Sequence, residues 1–328
     1  MDKDNGQNPI NSAFGAETNA EEIIKNINLE GKNVIVTGGY SGIGLEVTKA
    51  LSTAGANIFI PVRNINKGQK TLEGIKNVKL DEMDLMDGKS IDNFTNNFLK
   101  NNNLLHILIN GAGVMAPPLR RDSRGYESQF STNHLGHFYL TARLWPALVK
   151  ANGARVLTVS SRGHRLNGID FDDPNFERRE YDKWKTYAQS KSANVLFALE
   201  LDKRGRKNNI RAFSVHSGMV PNTSLGRDLT EADKKPRPIL DEQRRSKSNE
   251  EKPHFKTVQQ GAATILWCAL SSQLNDLGGV YCEDCNIAIS VSYDSLSADG
   301  VRPWAIDPEL SRRLWELSER LIGMEFKI

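Results

Sequence analysis

With 328 residues, 38% of them hydrophobic and 25% charged, the chain has the balance of a globular protein and room for one large α/β domain or two small ones. Its formal net charge of +3 is too small to argue for a polyanionic partner, so neither nucleic acid nor an anionic membrane surface is implied. Three cysteines, Cys268, Cys282 and Cys285, are too few for a disulfide framework and fit a reducing compartment.

Residues 1–28 are polar and mix acidic with basic side chains, without the apolar run of a secretory signal. No later segment offers the ~20 apolar residues that span a bilayer, so a cytoplasmic protein is expected. Within this N-terminal extension, 19–28 reads as a short helix after a flexible tail, with Thr18 as candidate cap. It is an appendage rather than a domain.

From Lys32 onward, short β-branched runs alternate with longer helical patterns. The runs 33–37, 57–62, 78–82, 105–110, 155–160, 210–216 and 279–281 give seven candidate strands, and each crossover is long enough for a helix. That order predicts an α/β fold in which a parallel sheet is covered on both faces. Two stretches break the rhythm, 162–186 and the charged, Pro-containing 222–256, which reads as a mobile substrate loop or lid. Residues 300–328 form a C-terminal extension in which 307–323 has an amphipathic helical pattern. Strands continue on both sides of each break, so 29–328 reads as one doubly wound domain.

The first strand runs into Thr37-Gly38-Gly39-Tyr40-Ser41-Gly42-Ile43-Gly44 and then into an apolar-periodic helix ending near Gly55. This strand, glycine turn and helix suit a dinucleotide. Gly38 permits the sharp turn, Gly42 lets backbone approach a pyrophosphate, and Gly44 lets helix and strand pack closely. The helix start offers free N–H groups to phosphates.

The spacing T-G-x-x-x-G-x-G resembles the short-chain dehydrogenase/reductase family, and further matches follow in order. Asp84-Leu85 comes after the third strand, Asn110-Gly111-Ala112-Gly113 after the fourth, Asn133 lies in a helix, and Ser160-Ser161 ends the fifth strand. Tyr187-Ala188-Gln189-Ser190-Lys191 matches the Y-x-x-x-K of the family. The resemblance covers about Leu29 to the end of the chain. Within the family, the long insertion before Tyr187, Val114-Met115-Ala116-Pro117-Pro118 and Asn133-His134-Leu135-Gly136-His137-Phe138 look most like the retinol dehydrogenase branch and its WW-domain oxidoreductase relatives.

The resemblance implies a single Rossmann-type domain and a nicotinamide cofactor held by Gly38, Ser41, Gly42, Ile43, Gly44, Asp84, Leu85, Asn110, Ala112, Gly113, Val220 and Thr223, together with Tyr187 and Lys191. It also implies Tyr187 as acid/base, Lys191 as its partner and ribose ligand, Ser161 as orienter of the substrate oxygen, and Asn133 as support for a proton-relaying water. The residues agree with these roles. Tyr187 and Lys191 are four apart in a helical stretch and share a face. A free phenol has a pKa of ~10, and a neighbouring ammonium stabilises its phenolate.

At the end of the second strand an acidic residue would accept hydrogen bonds from a ribose 2′-OH. Here Val62 is followed by Arg63, whose guanidinium suits a 2′-phosphate, so NADP is expected over NAD. Two positions depart from the family text: Gly111 replaces the second asparagine of N-N-A-G, and Ser217 replaces the proline of a P-G turn. Neither touches the proton-transfer group.

Cys282 and Cys285 make a C-x-x-C without a second pair, and His134, His137, His164 and His216 have no acidic partner at ligand spacing. No metal is expected, and His134 and His137 read as local packing or capping residues. The expected partner is a small, lipophilic alcohol, aldehyde or ketone. A non-enzymatic NADP(H)-sensing or interaction protein on the same fold is the alternative. Family habit implies a homodimer or homotetramer through the Tyr187 helix, but the 307–323 segment can cap that surface, so oligomeric state stays open.

Overall fold

The computed structural model describes residues 6–221, 223–234, 255–295, 297 and 299–328. Seven parallel strands form the sheet: β1 (Asn33–Val36), β2 (Asn57–Val62), β3 (Val78–Glu82), β4 (Ile107–Asn110), β5 (Arg155–Val159), β6 (Arg211–His216) and β7 (Val280–Glu283). An eighth, β8 (Asn286–Ile287), pairs antiparallel with β7, giving the order β3-β2-β1-β4-β5-β6-β7-β8. The seven expected strands are present. The eighth is two residues long and carries no periodicity that a pattern could catch.

Side chains alternate across the sheet with period 2, and both faces are buried. Val34, Val36, Ile58, Ile60, Ile109, Leu157 and Phe213 enter one core, while Ile35, Phe59, Leu108, Val156 and Ala212 enter the other. The first core is closed by α1 (Ala20–Ile24), α2 (Gly42–Thr53), α3 (Ile65–Leu72) and the later Val258–Leu270 helix. The second is closed by α4 (Gly88–Asn101), a helical stretch through 151, and α7 (Lys183–Gly205). That stretch changes pitch midway, as α5 (Ser128–Phe130), a π-helical turn Ser131–Leu135, and α6 (Gly136–Ala151). Short α8 (Glu231–Lys234) follows β6, Val258–Leu270 is α9, and Pro308–Ile322 is α10.

The N-terminal segment is not loose along its described length. The buried Gln7 amide accepts from Tyr281 N at 2.9 Å and donates to the Tyr281 and Ala288 carbonyls at 2.9 and 2.7 Å. It thereby fills the hydrogen-bonding groups that a neighbouring strand would take. Ile10 exchanges two bonds with the Asn286 side chain, and Ala20, Ile23 and Ile24 join the core. The residue at the start of α1 is Asn19 rather than Thr18. Glu22 reaches back to the Asn19 N–H at 2.8 Å, while Thr18 accepts from Gly15 N.

The amphipathic C-terminal pattern forms α10, started by Asp307 accepting from Glu309 N and Leu310 N and ended by Gly323 at φ +69°. Its buried face carries Leu314, Trp315 and Leu317 against α7 and α6. Ser311 donates to Glu200 Oε2 at 3.1 Å, and Ser318 Oγ meets His134 Nε2 at 2.7 Å. The side of α7 turned away from the sheet is thus covered from within the chain.

Of the expected lid, 222 and 235–254 lie outside the described residues. Its two ends are anchored. Ser224 Oγ meets Ser41 Oγ at 3.2 Å, and Lys256 N donates to the Met219 carbonyl at 2.9 Å.

Candidate active site

The strand order reverses beside β1, whose neighbours are β2 and β4, and in such sheets a crevice opens beyond the carboxyl ends of the strands. Here that crevice is a cleft of about 1090 Å³. The turn from β1 to α2 forms its floor. Gly38 sits at φ +75°, with the Cα of Ala112 only 3.0 Å from where a Cβ would lie. A Cβ on Gly44 would fall 2.3 Å from the Gly38 carbonyl, so helix and turn meet backbone to backbone. Ser41 is extended at the start of α2 and makes no side-chain cap, which leaves first-turn N–H groups facing the cleft.

Of the expected cofactor residues, Gly38, Ser41, Gly42, Ile43, Gly44, Arg63, Asp84, Leu85, Ala112, Gly113, Val220 and Thr223 all line this cleft. Arg63 is exposed at its margin and makes no hydrogen bond or ion pair among the described residues. Thr223 closes over the turn, its Cβ 3.4 Å from where a Gly42 Cβ would lie. Asn110 departs from expectation. It is buried behind the floor with its amide donating to Thr141 Oγ1 at 3.2 Å, and it does not line the cleft.

Tyr187 and Lys191 rise from α7 into the same cleft, with Lys191 Nζ 5.6 Å from the centre of the phenol ring. Both are almost wholly buried. Burial pushes the Tyr187 phenol up to about 12, opposed by its hydrogen bond with Ser161. Burial also pulls the Lys191 ammonium down to about 8, and Nζ donates to the Val159 carbonyl at 2.9 Å. Ser161 leaves the end of β5 in an extended conformation and accepts from Gly163 N at 3.0 Å.

Asn133 lies one layer back, on the π-helical turn. Its amide accepts from Val114 N at 2.9 Å and donates to the Val114 carbonyl at 3.0 Å and to Ser190 Oγ at 2.9 Å. Ser190 in turn donates to the Tyr187 carbonyl at 2.8 Å. The four expected catalytic residues are therefore brought into one constellation. π-turns often fall at functional sites because the widened helix redirects a side chain.

Two residues here were passed over in sequence. Thr37 Oγ1 accepts from Gly111 N and Ala112 N at 2.8 and 3.0 Å, tying the glycine turn to the end of β4. His137, read as a local packing residue, reaches across to Thr37 at 2.9 Å. The available signal was its i,i+4 position from Asn133. His134 does pack, among Phe130, Phe138 and Phe197. His164 bonds the Ser161 carbonyl, and His216 lines the cleft from the end of β6. Among the described residues no group of acids, histidines and cysteines can hold a metal. Cys285 instead sits in the two-residue turn between β7 and β8, with its N–H on Thr264 Oγ1.

The cleft is also lined by apolar Met115, Leu166, Trp184, Leu225, Leu229 and Phe255. Arginines are present too, but Arg162 is paired with Asp299, and Arg302 donates to the Ser292 and Ser295 carbonyls. No helix among the described residues is long and apolar enough to cross a membrane.

The short chain dehydrogenase family model matches residues 32–234. Over 296 residues the chain is 37% identical to a probable oxidoreductase of Streptomyces lividans, covering 88% of this chain and 97% of that protein. It is 36% identical over 308 residues to human retinol dehydrogenase 12, covering 92% and 90%. Among solved structures, an uncharacterised protein from Mycobacterium paratuberculosis superposes with a TM-score of 0.70 at 29% identity, covering 93% of this chain and 98% of that one. The family match spans the glycine turn, the Asn133 turn and the Tyr187 helix alike. The chain belongs to the short-chain dehydrogenase family and is an oxidoreductase of that family.

Proposed function

We propose that the protein transfers a hydride between NADP(H) and a small lipophilic alcohol or carbonyl compound, with Tyr187 as the acid/base. The observation that carries this reading is that the glycine turn and the Ser161, Tyr187 and Lys191 side chains open on one cleft. A nicotinamide nucleotide fits the residues present. The close backbone approach at Gly38 and Gly44 makes a turn on which side chains would intrude, and the α2 N–H groups face the space beyond it. A Cβ on Gly113 would stand 3.1 Å from Asn133 Oδ1, so glycine leaves room for the asparagine beside that part of the cradle. Gly38, Ser41, Gly42, Ile43 and Gly44 would hold the pyrophosphate side, Arg63 the 2′-phosphate, Asp84 and Leu85 the adenine, and Lys191 the nicotinamide ribose.

When bound, the nicotinamide supplies the hydride in reduction and accepts it in oxidation. The chain handles the proton. In reduction, the carbonyl π electrons move to oxygen, and that oxygen takes the proton of the Tyr187 O–H while Ser161 orients it. The phenolate left behind is stabilised by the Lys191 ammonium and recovers a proton from solvent. Oxidation runs the same path in reverse. Burial holds the phenol well inside its protonated range, which favours the acid role.

The apolar side chains lining the cleft, with Arg162 engaged by Asp299 and Arg302 by backbone carbonyls, support a neutral lipophilic substrate. The likeness to retinol dehydrogenase 12 supports an alcohol or aldehyde. The test is an NADPH-oxidation screen of lipophilic aldehydes, ketones and quinones, repeated with NADH. Turnover of a carbonyl compound with NADPH preferred is expected; reactivity confined to NADH would overturn the cofactor assignment.

A further inference from the structure

We propose that His137 is a positioning residue whose two ring nitrogens join the dinucleotide turn to the turn that carries Asn133, an inference that rests on the catalytic reading above. The imidazole is buried on α6 between the two. Its Nδ1 lies 3.1 Å from the Asn133 carbonyl oxygen and its Nε2 lies 2.9 Å from Thr37 Oγ1.

The chemistry of the partners fixes every proton. A carbonyl oxygen only accepts, so Nδ1 must carry the hydrogen. Burial and the Lys191 charge keep the ring neutral, so Nε2 is left as an acceptor. The Thr37 hydroxyl then donates to Nε2 and uses its lone pairs for the N–H groups of Gly111 and Ala112. The result is a directed chain from the end of β4, through the last residue before the glycine turn, through the ring, to the main chain of Asn133.

Both ends of that chain matter to the site. Ala112 packs directly on Gly38, and Asn133 clamps Val114 and Ser190, the latter bonded to the Tyr187 carbonyl. A shift at the ring therefore moves the nucleotide floor relative to the proton-transfer group. Misplacement by about 1 Å can lower turnover roughly 100-fold.

Removal of the ring does not strand Thr37. Its hydroxyl has an alternative acceptor in the Ile109 carbonyl at 3.3 Å, so a variant that keeps a ring there is expected to fold. His137→Phe keeps a flat ring of slightly larger volume and loses both nitrogens. His137→Asn restores a donor within reach of the carbonyl one helical turn back, without reaching Thr37.

The experiment combines nitrogen-15 NMR of the wild-type imidazole with kinetics of the two variants, using NADPH and a carbonyl substrate from the screen. The ring should be the Nδ1–H tautomer at neutral pH. His137→Phe should lose about tenfold or more in kcat while KM and the NADPH Kd stay within about threefold, and His137→Asn should recover several-fold of that loss. An Nε2–H tautomer, unchanged kcat in His137→Phe, or a loss that His137→Asn does not relieve would overturn the proposal. Tyr187→Phe is run beside them. Turnover surviving there contradicts the catalytic reading, whereas the tautomer decides the His137 geometry without reference to turnover.

Discussion

The Lys191 ammonium nitrogen stands 5.6 Å from the centre of the Tyr187 ring, one helical turn along the same face of α7 and buried with it. Neither group would be placed there for stability. A phenol and an ammonium held dry raise and lower their proton affinities respectively, and both shifts oppose the charged forms.

The lysine is therefore expected to lower the stability of the ligand-free fold. Its folded-state pKa of about 8 lies below the ordinary 10.5, so the unfolded chain binds the proton more tightly. The penalty is fully present below pH 8 and fades as pH rises toward 10.5. At neutral pH it is on the order of 3 kcal/mol. Lys191→Met should raise urea stability at pH 7 by about 1–3 kcal/mol, with a smaller gain at pH 9.5, while turnover is lost. A destabilised or pH-independent variant would contradict the assignment.

The phenol gives the two directions opposite pH dependence. Reduction needs Tyr187 protonated, and a phenol pushed up to about 12 remains so across neutral pH. Oxidation needs phenolate, whose fraction grows as pH approaches the phenol pKa from below. Initial rates should show reduction flat from pH 6 to 7, below the Lys191 pKa of about 8, and oxidation rising steadily over the same range. Parallel profiles would show that another group limits both.

Arg63 stands exposed at the cleft margin after β2, where no acidic side chain competes for a ribose hydroxyl. Arg63→Asp should lower the NADPH to NADH ratio of kcat/KM by about tenfold or more, since it removes a charge-assisted bond and adds repulsion. An unchanged ratio would mean that the 2′-phosphate is read elsewhere.

Gln7 makes three buried hydrogen bonds to the β7–β8 region, far from the cleft floor in sequence. Gln7→Ala removes the partner of the buried Tyr281 N–H and a donor from the Tyr281 and Ala288 carbonyls, the first of which keeps the Ala288 N–H, and should destabilise by about 1–3 kcal/mol in equilibrium unfolding. Loss of less than about 0.3 kcal/mol would show that the segment does not bear on the fold.

The strands and the glycine turn were legible because a buried parallel sheet demands near-continuous apolar runs and a close helix approach demands glycine at Gly38 and Gly44. Tyr187, Lys191, Ser161 and Asn133 were legible through spacing and family resemblance together. Gln7 was not, because a side chain that imitates a strand has no period. His137 was legible in part: its i,i+4 relation to Asn133 announces the local bond it makes, whereas the contact with Thr37 spans 100 positions and exists only once the sheet is formed. Asn110 was misjudged in the other direction. A motif position near the cofactor does not reveal which side of the backbone its side chain takes.

The most direct test of the account is single-turnover hydride transfer by Tyr187→Phe, followed by nicotinamide absorbance, with NADPH affinity measured separately by fluorescence. The phenyl ring keeps the packing and removes only the hydroxyl that carries the proton. The account predicts transfer reduced by at least about 1000-fold with NADPH affinity within a few-fold of wild type. Transfer at a near wild-type rate would contradict it.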